Sequence, residues 1–349
     1  MNDMSSSSFS NRIIDWYLVN KRDLPWRETQ DPYKIWLSEI ILQQTRVDQG
    51  MNYYFKFIHN YPTILDLANA TEQQVLNDWQ GLGYYSRARN LHATAKLIAF
   101  DLNGLFPDNY NDILTLKGVG PYTAAAIASF AFKEAKALVD GNVYRILARF
   151  YDISTPIDST MGKKEFQLLA DSLISISQPD IHNQSIMEFG SQQCTPVNPN
   201  CLECVLNNDC QSFHNKTVAI RPVKEKKTKV RTRFFYYAIF KEGSKICLQQ
   251  RKESDIWQHL YEFPLYETEK SLSDNELVNY YSSQYSLEPI HVSNEIKHVL
   301  SHQKILTKFI HFNVIPSKLD EISLEFEELD QFPLPRLIDK YLTDLSGEV

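Results

Sequence analysis

Cys194-x6-Cys201-x2-Cys204-x5-Cys210 gathers four thiols into a short run, while the only other cysteine of the 349 residues is Cys247. Four thiolates at such spacing can hold zinc or an iron–sulfur cluster, and ligand chemistry alone accepts either. Cys247, inside an expected strand, reads as a small buried hydrophobe. Two carboxylates sit in contrasting settings. Glu39 lies in the apolar run Trp36-Leu-Ser-Glu-Ile-Ile-Leu-Gln-Gln-Thr45, and Asp140 in Val139-Asp-Gly-Asn-Val143. A carboxyl kept protonated by burial can deliver a proton, and an ionised one can stabilise a cation beside it. Read singly, a lone Glu on an amphipathic helix is a surface residue, and an Asp ahead of a helical run is an N-cap. In Leu116-Lys-Gly-Val-Gly-Pro-Tyr-Thr-Ala124, two glycines flank one apolar residue. Such a turn can aim backbone N–H groups at an anion, a phosphate diester being the natural guest, and it can equally be a plain tight turn between helices.

The elements that must position these residues follow from periodicity and punctuation. Phe9, Ile13, Ile14 and Tyr17 recur at helical spacing behind Ser10, an expected N-cap. Asp31-Pro32 opens a helix over Tyr33 to Thr45, Thr71-Glu-Gln-Gln74 is a capping box, and helices are expected after Ser86 and from Pro121 through Phe130. Past residue 233 the period changes. Phe234–Phe240 and Lys245–Arg251 form an expected hairpin around Gly243, Ile305–Ile315 another strand, and Pro335–Leu345 a closing helix. Between the halves, 221–233 holds seven basic residues and one acidic, with no apolar pattern. It reads as an interdomain tether, solvated or lying along a phosphate backbone.

Hydrophobic residues at 43% and aromatics at 12% exclude global disorder, and the length suits two or three domains. No run is long enough for a membrane span, and 1–11 lacks a signal peptide's apolar stretch, so a soluble cytoplasmic protein is expected. Five cysteines are too few for a disulfide scaffold. A net charge of −7 argues at first sight against a nucleic-acid partner.

Taken together these motifs resemble a known family. The hairpin resembles the helix-hairpin-helix of the DNA glycosylase superfamily that includes endonuclease III, with Gly118 and Gly120 as the matching glycines. Asp140 follows about twenty residues later, as that superfamily's substrate-facing Asp does. The cysteine spacing is similar to its cluster loop. Trp36–Thr45 closely resembles the catalytic helix of the adenine DNA glycosylase (MutY) family, and Leu24-Pro-Trp-Arg27 and Gly81–Asn90 fit the same branch.

The resemblance implies a mainly α-helical glycosylase fold, followed by a smaller α+β Nudix-like domain. It implies a disordered tail over 1–8, a catalytic region over 9–215 (a six-helix domain near 30–133, and a cluster domain from 9–29 plus 134–215), a linker over 216–232 and a recognition domain over 233–349. It implies one [4Fe–4S] cluster on Cys194, Cys201, Cys204 and Cys210. Glu39 would protonate the base at N7, Asp140 would stabilise the sugar cation, and Tyr122 and Asn142 would support them. Trp26, Arg27 and Glu188 would surround the extruded adenine. Gln43, Gln44, Thr45, Tyr84, Lys117, Gly118 and Gly120 would meet DNA, with Arg46, Arg87 and Arg89 adding charge to the groove. Tyr122 stands where strand-cleaving relatives carry Lys, and Tyr144 where some adenine glycosylases do, implying a monofunctional enzyme.

The implied substrate is duplex DNA with adenine opposite 8-oxoguanine or guanine, in base-excision repair, bound by a monomer in the bacterial cytosol. A glycosylase for pyrimidine lesions and a noncatalytic lesion binder are the alternatives. Val230–Arg251 with Trp257–Pro264 resembles the start of a Nudix domain, but the acidic Mg²⁺-binding constellation does not follow. The second domain is therefore expected to be a silent recognition module. Its Ser301-His302 pair would inspect the lesion, with Leu300 in place of the family's aromatic residue.

Overall fold

The computed structural model describes residues 3–225, 230–317 and 322–346. The chain divides into two compact units, Met1–Asn69 with Ala93–Lys226 and Ala70–His92 with Lys227–Val349.

The first unit is helical. Its opening helix runs Asp3–Asn20, taking in residues 3–8 that were expected to lack structure. Ser10 is not its cap. The Ser10 hydroxyl donates to the Leu173 carbonyl at 2.6 Å, and Phe9 and Ile13 are fully buried. Docking thus fixes this helix near its middle. Asp31 caps the helix Pro32–Leu42 by accepting from the Tyr33 N–H at 3.0 Å. That helix stops before the expected Thr45, because Gln43 turns extended and Gln44 takes a left-handed φ of 58°.

The helix Pro121–Phe132 begins at Gly120, and Asp140 caps Gly141–Phe150. One core joins Phe9, Ile13, Ile146, Phe166 and Phe189, with Cys194, Cys204 and Cys210 packed at its edge. The cysteine loop is thereby seated beside the helix that Asp140 starts.

In the second unit, eight strands join one sheet among the described residues: β1 Arg231–Glu242, β2 Lys245–Gln250, β3 Tyr261–Glu262, β4 Leu265–Thr268, β5 His291–Val292, β6 Ile296–Val299, β7 Gln303–Phe312 and β8 Ile322–Glu325. The main order is β3-β2-β1-β7-β5. β1 pairs parallel with β7, placing Tyr237 against Phe309, and the other ladders are antiparallel. Phe235 to Phe240 are all buried because both faces of β1 are covered. The helix Asp274–Tyr285 packs Leu277 and Tyr281 on one face. On the other, Tyr341 of the helix Arg336–Ser346 stacks on Phe309 at 3.7 Å.

Residues 70–92 belong to this unit. The Asn77 amide donates to the Asp330 carbonyl at 2.9 Å, and the Leu334 N–H donates to Gln80 Oε1 at 3.2 Å.

The expected linker is structured at both ends, and 226–229 lie outside the described residues. Arg221 pairs with Asp152 at 2.9 Å. Arg233 is buried in β1, bonded to Asp255 at 2.6 Å and to Glu267 at 2.7 Å. Neither is a free charge of a tether, because each guanidinium meets carboxylates that folding delivers.

Candidate active site and metal centre

A cavity of about 520 Å³ opens in the helical unit. Glu39, Asp140, Tyr122 and Asn142 line it, together with Trp26, Arg27, Glu188, Gln43, Gln44 and Thr45. Glu39 is 6% exposed, and its Oε2 accepts a hydrogen bond from the Tyr122 hydroxyl at 2.7 Å. Burial pushes its carboxyl up to about 7, the Tyr122 bond opposes this, and the nearby Asp140 adds to it. A carboxyl in that state carries a proton near neutrality.

Asp140 differs in its donors. Its side chain accepts from the Val143 N–H and from Asn142 Nδ2, both at 2.8 Å. The helix start was expected to favour its charge. Instead burial holds its carboxyl above the ordinary aspartate value, against those same hydrogen bonds. Asp140 thus has two nitrogen donors opposing its burial, where Glu39 has one phenol.

Glu188, on the helix Pro179–Gln192, is 1% exposed. Arg22 Nε and backbone N–H bond its Oε1 at 2.7 and 3.0 Å, and Arg27 Nη2 bonds Oε2 at 2.7 Å. Burial raises its carboxyl, but these cationic donors outweigh that and hold it at about 2. A fixed anion clamped by two arginines therefore forms one wall. Arg22 was not singled out in the sequence, since nothing local to Lys21-Arg-Asp23 marks a partner 166 positions away.

Asn142 is itself oriented. Arg145 Nη2 donates to Asn142 Oδ1 at 2.8 Å and to the Gly190 carbonyl at 2.6 Å, and its Nε donates to the Cys194 carbonyl at 2.7 Å. Gly190 is needed for this approach, since a Cβ there would sit 2.5 Å from Asn142 Cβ. One arginine therefore ties the cysteine loop to the amide that donates to Asp140. Tyr144 packs edge-on against Phe166 at 5.3 Å and does not line the cavity.

The four clustered cysteines are free of disulfides and surround one small cavity of about 30 Å³. Among the described residues, no three or more His, Cys, Asp or Glu groups close around a single ion. Arg149 binds the same loop, donating to the carbonyls of Thr195 at 2.7 Å and Pro196 at 3.1 Å. Burial and mutual repulsion push the thiols of Cys201 and Cys210 up, and that of Cys204 up to about 11. A cationic centre removes that cost, so the donor set fits a thiolate-held group.

The remaining expected residues lie apart from the active-site cavity. Lys117, Gly118 and Gly120 are exposed on the turn before Pro121. Gly118 needs its φ of 80°. Gly120, with φ −95°, would accept a side chain, and a Cβ there would meet nothing within 4 Å. The fold does not demand glycine at 120. Tyr84, Ser301 and His302 line a second cavity, of about 470 Å³, within the sheet unit, where the Tyr84 hydroxyl is hydrogen-bonded to Ser301 Oγ. Arg87 and Arg89 are each anchored by a backbone carbonyl. Arg87 Nη2 is bonded to the Gly83 carbonyl at 3.2 Å and Arg89 Nη1 to the Gln258 carbonyl at 2.7 Å, because the turn carbonyls beside them need donors.

Three family models match the chain: the HhH-GPD superfamily base excision DNA repair protein over residues 37–170, the iron-sulfur binding domain of endonuclease III over 194–210, and the NUDIX domain over 235–344. The cysteine cluster is thus an iron–sulfur site. The chain is 35% identical over 311 residues to an adenine DNA glycosylase of Buchnera aphidicola subsp. Baizongia pistaciae, covering 88% of this chain and 86% of that protein. It is 39% identical over 215 residues to the adenine DNA glycosylase of Homo sapiens, covering 59% of this chain and 39% of that one. Among solved structures, a thermostable thymine-DNA glycosylase aligns with TM-score 0.57 at 29% identity, over 61% of this chain and 98% of its own. A non-covalent endonuclease III–DNA complex aligns with TM-score 0.53 at 19% identity, over 62% and 99%, a likeness of fold.

Proposed function

We propose, from the premise that this chain belongs to the adenine DNA glycosylase family, that it hydrolyses the N-glycosidic bond of adenine mispaired with 8-oxoguanine or guanine in duplex DNA, in base-excision repair. One observation carries the reading. Two carboxyls share a cavity, and Glu39 is held to about 7 while Asp140 has the stronger donor set.

Adenine leaving as an anion is a poor leaving group. Protonated Glu39 gives its proton to N7 as the C1′–N9 bond breaks and its electrons pass to the base. The sugar becomes an oxocarbenium-like cation, which ionised Asp140 stabilises. Water adds to C1′, and its proton returns to Glu39, leaving an abasic site and free adenine. No amine replaces Tyr122 or Tyr144, so the strand stays intact. The target base must leave the stack to enter a cavity of this kind. Arg27, held in place by the clamped Glu188 anion, offers a donor to an extruded adenine, and Trp26 offers an apolar wall.

Gly120, open on its outer side, supports a close approach of a phosphate to the turn over 116–120. Ser301 and His302 are assigned to the opposing lesion. The compact cysteine spacing and the shared cavity support a [4Fe–4S] cluster held by Cys194, Cys201, Cys204 and Cys210. When bound, it neutralises the thiolates and braces the loop that Arg145 and Arg149 grip.

The test is release of free adenine from duplexes with adenine opposite 8-oxoguanine or guanine, with parallel lanes for thymine, uracil and oxidised pyrimidines. Adenine release in the first two lanes is expected. Release of a pyrimidine alone, by protein with its cluster intact, would overturn the assignment.

A further inference from the structure

Two bulky aromatic residues of the sheet unit, Tyr84 and Trp257, hold left-handed backbone conformations, with φ of 51° and 61°, and both line the cavity that contains Ser301 and His302. Left-handed backbone is uncommon for large side chains, and such outliers persist where surrounding contacts enforce them. Here the contacts are explicit. Arg89 Nη1 holds the Gln258 carbonyl at 2.7 Å, the His259 N–H donates to the Arg251 carbonyl at 2.7 Å, and the Leu260 N–H donates to the Trp257 carbonyl at 3.0 Å. Just before Trp257, Asp255 Oδ2 accepts from Arg233 and Arg251 at 2.6 and 2.9 Å. The Trp257 ring meets Phe235 edge-on at 6.1 Å and His298 at 5.9 Å, contacts that fix its plane.

The loop over 300–302 itself offers no aromatic surface, since Leu300 precedes Ser301. We propose that Trp257 is a specificity-determining residue, supplying this cavity with the rigid aromatic wall against which the base opposite adenine is read. Trp257 is 9% exposed, so four charged side chains and two ring contacts hold an indole that meets the cavity with part of its surface. A planar oxidised purine is the ligand class that suits a wall of indole and phenol beside a hydroxyl and an imidazole. The inference rests on the proposed adenine-excision reading and deepens it.

The experiment compares full-length, cluster-loaded wild type with Trp257→Leu and Trp257→Phe. It measures the ratio of single-turnover excision rates for adenine opposite 8-oxoguanine over adenine opposite guanine. Loss of this aromatic lining should lower that ratio about tenfold in Trp257→Leu, with Trp257→Phe close to wild type. An unchanged ratio in a folded Trp257→Leu overturns the proposal. If Trp257→Leu does not fold, wild type is photocrosslinked to a duplex carrying 8-azidoguanine opposite a non-cleavable adenine analogue. Adducts within 253–260 then support the proposal, and adducts confined to other segments overturn it. Absence of adenine release by wild type from either duplex would instead remove the function on which the proposal stands.

Discussion

The Tyr122 hydroxyl and Glu39 Oε2 lie 2.7 Å apart, with the phenol as donor, so the group expected to release a proton is restrained by its neighbour. Without that bond, burial and the Asp140 charge act unopposed from this side, and the Glu39 carboxyl rises above about 7. In the proposed mechanism excision needs protonated Glu39, so the rate should fall about tenfold per pH unit as pH rises past the Glu39 value. Tyr122→Phe should move this alkaline limb to higher pH. Glu39→Gln should abolish excision and leave duplex binding in place. Single-turnover rate against pH decides it, and a Tyr122→Phe limb moved to lower pH would contradict the restraint.

Arg145 bonds to neither Glu39 nor Asp140 directly, yet it holds the Asn142 amide and the Cys194 carbonyl together. Arg145→Gln should reduce the excision rate constant at least about tenfold with little change in duplex affinity, since it disturbs the orientation of the group donating to Asp140. An affinity loss matching the rate loss would make Arg145 a binding residue instead.

Glu188 carries a stability prediction. Its carboxyl is depressed to about 2 from an ordinary 4.5, so its contribution to folding is complete above pH 4.5 and is lost as pH falls from 4.5 through 2. Glu188→Gln leaves Arg22 and Arg27 without their anion. Arg27 is largely buried and Arg22 is 41% exposed, which places the cost near the lower end for a broken buried pair, about 3 kcal/mol. Denaturant melts should show a large difference between wild type and variant at pH 7, reduced to roughly half at pH 3 and gone only below pH 2.

Cys204→Ser should remove the broad absorbance near 400 nm expected of a [4Fe–4S] cluster, lower bound iron, and reduce stability, because raised thiols in a shared cavity are then left without their cation. A colourless wild-type protein containing zinc would overturn the cluster type.

Features set by neighbouring residues were legible in the chain itself. The four-cysteine spacing, the Thr71–Gln74 capping box, the Asp140 cap and the turn at Gly118 each depend on residues a few positions apart. Element ends were less so. The helix after Pro32 stops at Leu42 because Gln44 turns left-handed, and Ser10 lies inside a helix whose position is set by Leu173.

Only tertiary structure decided the chemistry. It placed Glu39 and Asp140 in one cavity, brought Arg22 to Glu188, tied Arg87 and Arg89 to backbone carbonyls and buried Arg233. It also seated 70–92, within the span matched by the helical family model, in the sheet unit beside Ser301. The reason is that a carboxyl's affinity for its proton depends on lost solvent and on donors arriving from distant segments, and sequence spacing encodes neither.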